Sequence, residues 1–259
     1  MRQIEMSAKE LLILAAHLGA ENLLGVRDPF ESLERADLTA EIPQILIDAE
    51  KKGLVELNFE GTFSVAPETA NLLKPCAFCT KYISVEYSRN GQLQEGRNLY
   101  VGERLVLLEQ SGDHVLIRET KPEQAVEDLL SGSGGALPPD AAKAKGQFIL
   151  PLAQLSVLRE LSEKEAVEQL TAGGCPAYFA WLVSASLHQR TVCCVLTLAD
   201  YETGTMRNCI LIREGQNCAL LEMLETEEDT PLRVQGIDDA SLRALLKSFL
   251  EQLLTKGEA

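Results

Sequence analysis

The chain has 259 residues, of which 46% are hydrophobic, the ordinary share for a protein that buries a core. At the usual ~100–200 residues per domain, that length allows one large domain or two small ones. Its 24 Lys+Arg against 39 Asp+Glu leave a net charge of −15, a surface that repels phosphate backbones and anionic membranes and so disfavours nucleic-acid and membrane partners.

The N-terminus, MRQIEMSAKELLILAAHLGAE, sets Glu5, Lys9 and Glu10 around a short apolar run. That is too broken for a signal-peptide core and too short for a membrane span, so a cytoplasmic location is expected. Seven cysteines, an odd number spread mainly through strand-like segments, suit reduced thiols better than a disulfide framework. Ser7 and Glu10 have capping-box spacing, and Leu11, Leu14, Ala15 and Leu18 then share a helical face. A second helix follows Asp37–Thr39, with Ile42, Ile45, Leu46 and Ala49 as its stripe and Gly53 as its terminator. LVELNF and TFSVA, separated by Glu60–Gly61, read as a hairpin. Helix, helix, hairpin outlines a winged-helix-like segment over 5–66. Pro67 starts a short helix, PETANLLK, which Pro75 is expected to end.

Residues 81–131 then read as a three-stranded antiparallel meander closed by a helix. Ile83, Val85 and Tyr87 alternate with Ser84 and Glu86, and Asn90–Gly91 and Ser111–Asp113 are turns. Val126, Leu129 and Leu130 share one face of the closing helix. Ser131–Gly135 with Pro138–Pro139 is the one clear linker. Helices follow over 150–188, one capped by Ser162 and Glu165 and one started by Pro176. A second meander and closing helix occupy 189–254, with turns at Asp200–Gly204 and Glu214–Asn217. Leu242, Leu245, Leu246, Phe249, Leu250 and Leu253 give that helix the cleanest stripe in the chain. The fold class expected is therefore α+β, in two pseudo-repeated halves, 1–135 and 136–259, whose meanders abut or join beneath the helices.

No catalytic or cofactor motif survives inspection, and the sequence implies no cofactor. Cys76-Ala77-Phe78-Cys79 is the sharpest local pattern, since a CxxC can hold zinc or act as a thiol pair. It lacks a second ligand pair, and it follows a helix where a redox motif would open one. His17, His114 and His188 stand apart from any triad or metal spacing. The winged-helix-like start admits a DNA-binding regulator as an alternative, but TAEIPQILIDAEKK sets Glu41, Asp48 and Glu50 against Lys51 and Lys52. A zinc or thiol protein built on Cys76 and Cys79 is the other alternative.

MSAKELLILAAHLG, LTAEIPQILIDAEKKGLVELN and SVAPETANLLKPC, with the turn Gly53-Leu54-Val55 and the proline-terminated helix near Pro75, resemble the opening of the EspG-type chaperones of type VII (ESX) secretion systems. The resemblance implies two related halves around a central antiparallel sheet and no enzymatic activity. It also implies a helical protein partner, a secreted helical hairpin held in the cytosol by its apolar tip. By that analogy the partner surface lies on the sheet and hairpins of the second half, where Tyr201, Met206 and Met223 offer adaptable apolar contacts.

Overall fold

The computed structural model describes residues 2–30, 35–58, 62–89, 92–131, 146–188, 191–214, 217–224 and 231–255. The first half runs β1 (Gln3–Ser7), α1 (Ala8–His17), α2 (Arg35–Lys51), β2 (Val55–Leu57), β3 (Phe63–Val65) and α3 (Pro67–Phe78). It continues through β4 (Lys81–Arg89), β5 (Gln92–Val101), β6 (Leu105–Ser111), β7 (His114–Thr120) and α4 (Pro122–Leu130). The second runs β8 (Gln147–Leu150), α5 (Leu152–Glu160), α6 (Glu163–Ala172), α7 (Ala177–Leu187), β9 (Val192–Asp200), β10 (Thr205–Glu214), β11 (Asn217–Met223), β12 (Leu232–Gly236) and α8 (Asp239–Thr255).

Ten of these strands form one antiparallel sheet in the order β1-β7-β6-β5-β4-β9-β10-β11-β12-β8, and β2 pairs with β3 in a separate hairpin. The meanders join edge to edge, β4 against β9, in a register from Lys81 opposite Asp200 to Arg89 opposite Val192. Read inward from either edge, the sheet gives an edge strand, then the fourth, third, second and first strands of a meander.

Both capping boxes form. Ser7 accepts from the Glu10 amide while the Glu10 carboxylate accepts from the Ser7 amide, and Ser162 and Glu165 do the same for α6. Gly53, at φ +71°, closes α2 in the left-handed region that favours glycine. The Asn90–Gly91 turn and the linker lie outside the described residues, as do the tips of the 59–61 and 215–216 turns.

Three expectations need correction. Each meander has four strands, not three. RNLYVGERLVLLEQ breaks at Gly102–Arg104, where the Gly102 amide donates to the Arg104 carbonyl at 3.3 Å. The fourth strand of the second meander is LRVQG, with Leu232, Val234 and Gly236 turned inward, a period-two pattern too short to stand out beside its acidic neighbour. The sheet also gains β1 and β8 at its edges, and β1 ends at the residue that caps α1. Finally, α3 runs on through Pro75 to Phe78. A mid-helix proline frees the carbonyl four residues back. Here that residue is Asn71, on the exposed side of the helix, while Leu72, Leu73 and Cys76 are buried on the other.

The two faces of the sheet carry different cover. Ile83, Val85, Tyr87, Leu196, Leu198, Leu211 and Leu220 pack under α4 and α8. Leu242, Leu246, Phe249, Leu250 and Leu253 of α8 are all buried, each contributing roughly 1.5–3 kcal/mol. On the opposite face, α1 and α3 cover Tyr100, Val106, Leu108 and Ile117, while α5–α7 cover Ile212, Leu221 and Val234. Charged groups under the first face follow a matching plan. Glu109 on β6 is held by Arg97 of β5 at 2.9 Å and Arg118 of β7 at 3.1 Å, and Glu222 on β11 by Arg207 of β10 and Arg233 of β12.

Candidate functional site

The helix clusters on the second face leave a strip of sheet between them, over β4, β9 and the start of β10. Three register rows cross it. The first runs from Tyr100, Tyr82 and Ala199, buried in the core under α1 and α3, to the exposed Met206 beside Ala199. The next row is Asn98, Ser84, Thr197, Asn208, and the third is Gly96, Glu86, Val195, Ile210. Glu86, Val195, Thr197 and Asn208 are half-buried and belong to none of the three apolar cores. Ser84 Oγ and Asn98 Oδ1 are buried without a hydrogen-bond partner, while the Asn98 amide donates to the Gly25 carbonyl at 2.8 Å.

The segment after α1 bounds the strip on one side. Tyr100 donates its hydroxyl to the Leu24 carbonyl at 2.7 Å. A Cβ on Gly25, which sits at φ +71°, would lie 2.1 Å from Asn98 Oδ1, so only glycine lets this segment approach so closely. α7, with Trp181 37% exposed, packs over β10 and β11 on the other side.

Tyr201 and Met206 fall at the end of this strip, 49% and 45% exposed, while Met223, 41% exposed, lies outside it at the end of β11 opposite Leu232. Alternation along β10 puts Met206 on the same face as Ile210 and Ile212, and alternation along β11 puts Met223 with Ala219 and Leu221. Tyr201 follows β9, and its ring lies against Tyr82 with centroids 6.2 Å apart. Its amide donates to the Thr80 carbonyl at 2.9 Å, so the exposed ring is held from a fixed backbone. The hairpin beneath it is tied by Asp200, whose Oδ1 accepts from the Glu202 and Thr203 amides at 3.1 and 3.3 Å. Burial raises the Asp200 carboxyl, but these hydrogen bonds and the nearby Lys81 outweigh it and hold the group below its ordinary value. Lys81 forms an ion pair with Glu202 at 2.7 Å, and that contact raises the ammonium above its usual range.

Cys76 packs in the same apolar core as Tyr82, Tyr100 and Ala199, and Cys79 lies against that core. Cys76 is buried within α3, and burial pushes its thiol far up. Cys79 caps the helix, its Sγ against the carbonyls of Lys81 and Val101, and burial raises it too. Both environments oppose the thiolate that metal binding and thiol exchange require. Among the described residues no three His, Cys, Asp or Glu side chains gather as a metal-ligand set. A cavity of about 500 Å³ beside Cys79 is lined by Asn71, Lys74, Pro75, Phe78 and Arg104. The histidines are scattered. His17 packs on Phe63, His114 faces Glu5 at 3.7 Å, and both ring nitrogens of His188 lie within 2.9 Å of backbone carbonyls. Three described lysines around α2 are paired, Lys9 with Glu41, Lys51 with Asp48 and Lys52 with the buried Glu10. No described helix is long and apolar enough to cross a membrane.

The strip was only half legible in the sequence. Tyr201, Met206 and Met223 drew notice as apolar residues near a meander. Ser84, Thr197 and Asn208 did not, because their adjacency depends on β4 pairing with β9 across more than a hundred residues.

No family model matches the chain, and no curated protein matches it. Among solved structures it is similar to the Mycobacterium tuberculosis type VII secretion system chaperone EspG5, solved in complex with a PE25–PPE41 dimer. The match covers 98% of this chain and 96% of that one, with a TM-score of 0.61 and 12% sequence identity. The chain therefore has an EspG-like fold.

Proposed function

We propose that this EspG-like chain is a non-enzymatic cytoplasmic chaperone or adaptor, holding a helical-hairpin substrate of a type VII-like secretion system. The observation that carries the reading is the exposed pair Tyr201 and Met206 at the end of this strip, with Met223 exposed at the end of nearby β11, all set on a fixed sheet. An apolar hairpin tip left in water invites aggregation, and exposed, adaptable methionines and an aromatic ring on a fixed sheet can cover it. The fold supports the same reading, since EspG5 was solved with a protein dimer bound.

Within this reading, 1–135 and 136–259 are two versions of one scaffold, and 5–66 is a winged-helix-like module used for protein contact. Support comes from the matched order of elements and from the matched Arg–Glu–Arg groups.

Co-expression with small helical proteins encoded beside this chain, followed by purification of the complex, tests the function. Retention of such a protein is expected. Tyr201→Ala and Met206→Ala are expected to weaken it about tenfold or more each, as central apolar anchors do. Retention of none of them overturns the reading, and retention unchanged in both variants moves the site elsewhere.

A further inference from the structure

The two edges of the ten-stranded sheet differ in chemistry. β1 carries Glu5, 62% exposed in its side chain and facing His114, and Arg2 precedes it. Such charges are how exposed edges avoid pairing with another chain. The other edge, β8, is Gln147-Phe148-Ile149-Leu150, without a charge, and among the described residues no strand pairs with its outer side. Ile149 is 45% exposed, and on the adjoining helix Leu152 and Val157 are 38% and 52% exposed.

We propose that β8 is the self-association edge of this protein, pairing antiparallel with β8 of a second copy. Three features select a second copy over a foreign strand. The first is length: Pro151 follows β8 at once and has no N–H to donate, so the ladder stops there, and another β8 stops at the same place. The second is self-complementarity. A two-fold axis normal to the sheet keeps each face on its own side, so it must pass through a residue and not between two. Passed through Ile149, it sets Ile149 against Ile149 on one face and Phe148 against Leu150 on the other, with Phe148 and Leu150 already on the face that carries α5–α7. The third is charge. Two copies at −15 repel each other over most of their surface. Arg233 stands opposite Ile149 and, like Arg207 further in, is bonded to Glu222, so the described acid on this side of the edge is neutralised.

Sedimentation equilibrium of the full chain tests this. Mass is expected to rise with concentration from 28.4 kDa toward twice that value. Association is expected to strengthen with added salt, which screens the like charge. Ile149→Lys is expected to weaken association about 100-fold or more while leaving circular dichroism, and thermal unfolding at concentrations where both chains are monomeric, unchanged, because the site is exposed. Ile149→Cys provides a positive readout, since directly opposed residues of an antiparallel pair lie about 4.5–5.5 Å apart at Cα, within disulfide range. With diamide as the oxidant it is expected to yield a covalent dimer that the wild-type chain does not. A monomer at every concentration, an association that Ile149→Lys leaves intact, or an Ile149→Cys chain that cross-links no better than wild type would overturn the proposal.

Discussion

Glu109 and Glu222 occupy matching places, each on the third strand of its meander between arginines from the second and fourth strands. Their surroundings differ. Arg97 is 8% exposed and also bonds Glu95, the Asp128 carbonyl and Ser131, so the first group is stitched to α4. Arg118 extends the same network to Asp128 at 3.0 Å. Arg207 and Arg233 have side chains 38% and 33% exposed, and Arg233 adjoins the edge strand β8 opposite Ile149. One arrangement of charge thus fastens a helix in the first half and stands half-exposed near the sheet margin in the second. What a charge cluster does is set by the element above it.

That contrast can be broken. The largest effect is expected from Arg97→Ala, which removes the nearly buried cation that ties Glu95, Glu109 and the end of α4 together and should cost about 3 kcal/mol of unfolding free energy in urea titration. Arg207→Ala, its counterpart, should cost no more than about 1 kcal/mol because its site is hydrated. Equal losses would erase the distinction. Next in size is Gly25→Ala, which forces a side chain against Asn98 at a left-handed position and should cost about 2 kcal/mol. Its effect belongs to the first half alone.

Smaller and pH-dependent is Glu222→Gln. Burial raises the Glu222 carboxyl, but the hydrogen bonds from Arg233 and Arg207 prevail and hold it below its usual value. A depressed carboxyl stabilises the fold above its unfolded pKa, near 4.3, and that contribution is lost as pH falls through the folded value. The variant should therefore be about 1–2 kcal/mol less stable at neutral pH and show a shallower acid limb, read from thermal unfolding at stepped pH. Asp128 follows the same logic in the first half. Burial raises it, and Arg118 and Thr120 more than compensate, so Asp128→Asn should flatten the acid limb as well. Least of all, Met206→Ala should shift stability by no more than about 0.5 kcal/mol, since its side chain packs on little.

Local chemistry was legible wherever residues close in sequence act together. Ser7 with Glu10 and Ser162 with Glu165 announced their helices, Gly53 its stop, and the leucine stripe of α8 its buried face. Pro75 reads locally as a helix end, whereas the burial of Leu72, Leu73 and Cys76, which no local pattern carries, holds α3 together past it. β1 and β8 were missed because strands of five and four residues gain their order from a neighbour far along the chain, β7 or β12.

The sequence by itself determined the alternating faces of the strands, the helix ends and the acidic, thiol-rich character of the chain, since each is fixed by groups within a few residues of one another. Tertiary structure alone decided that β4 and β9 join the halves into one sheet. It thereby placed Tyr82, Ser84, Thr197 and Met206 side by side, because strand register is set by burying both apolar faces at once and no local pattern encodes it.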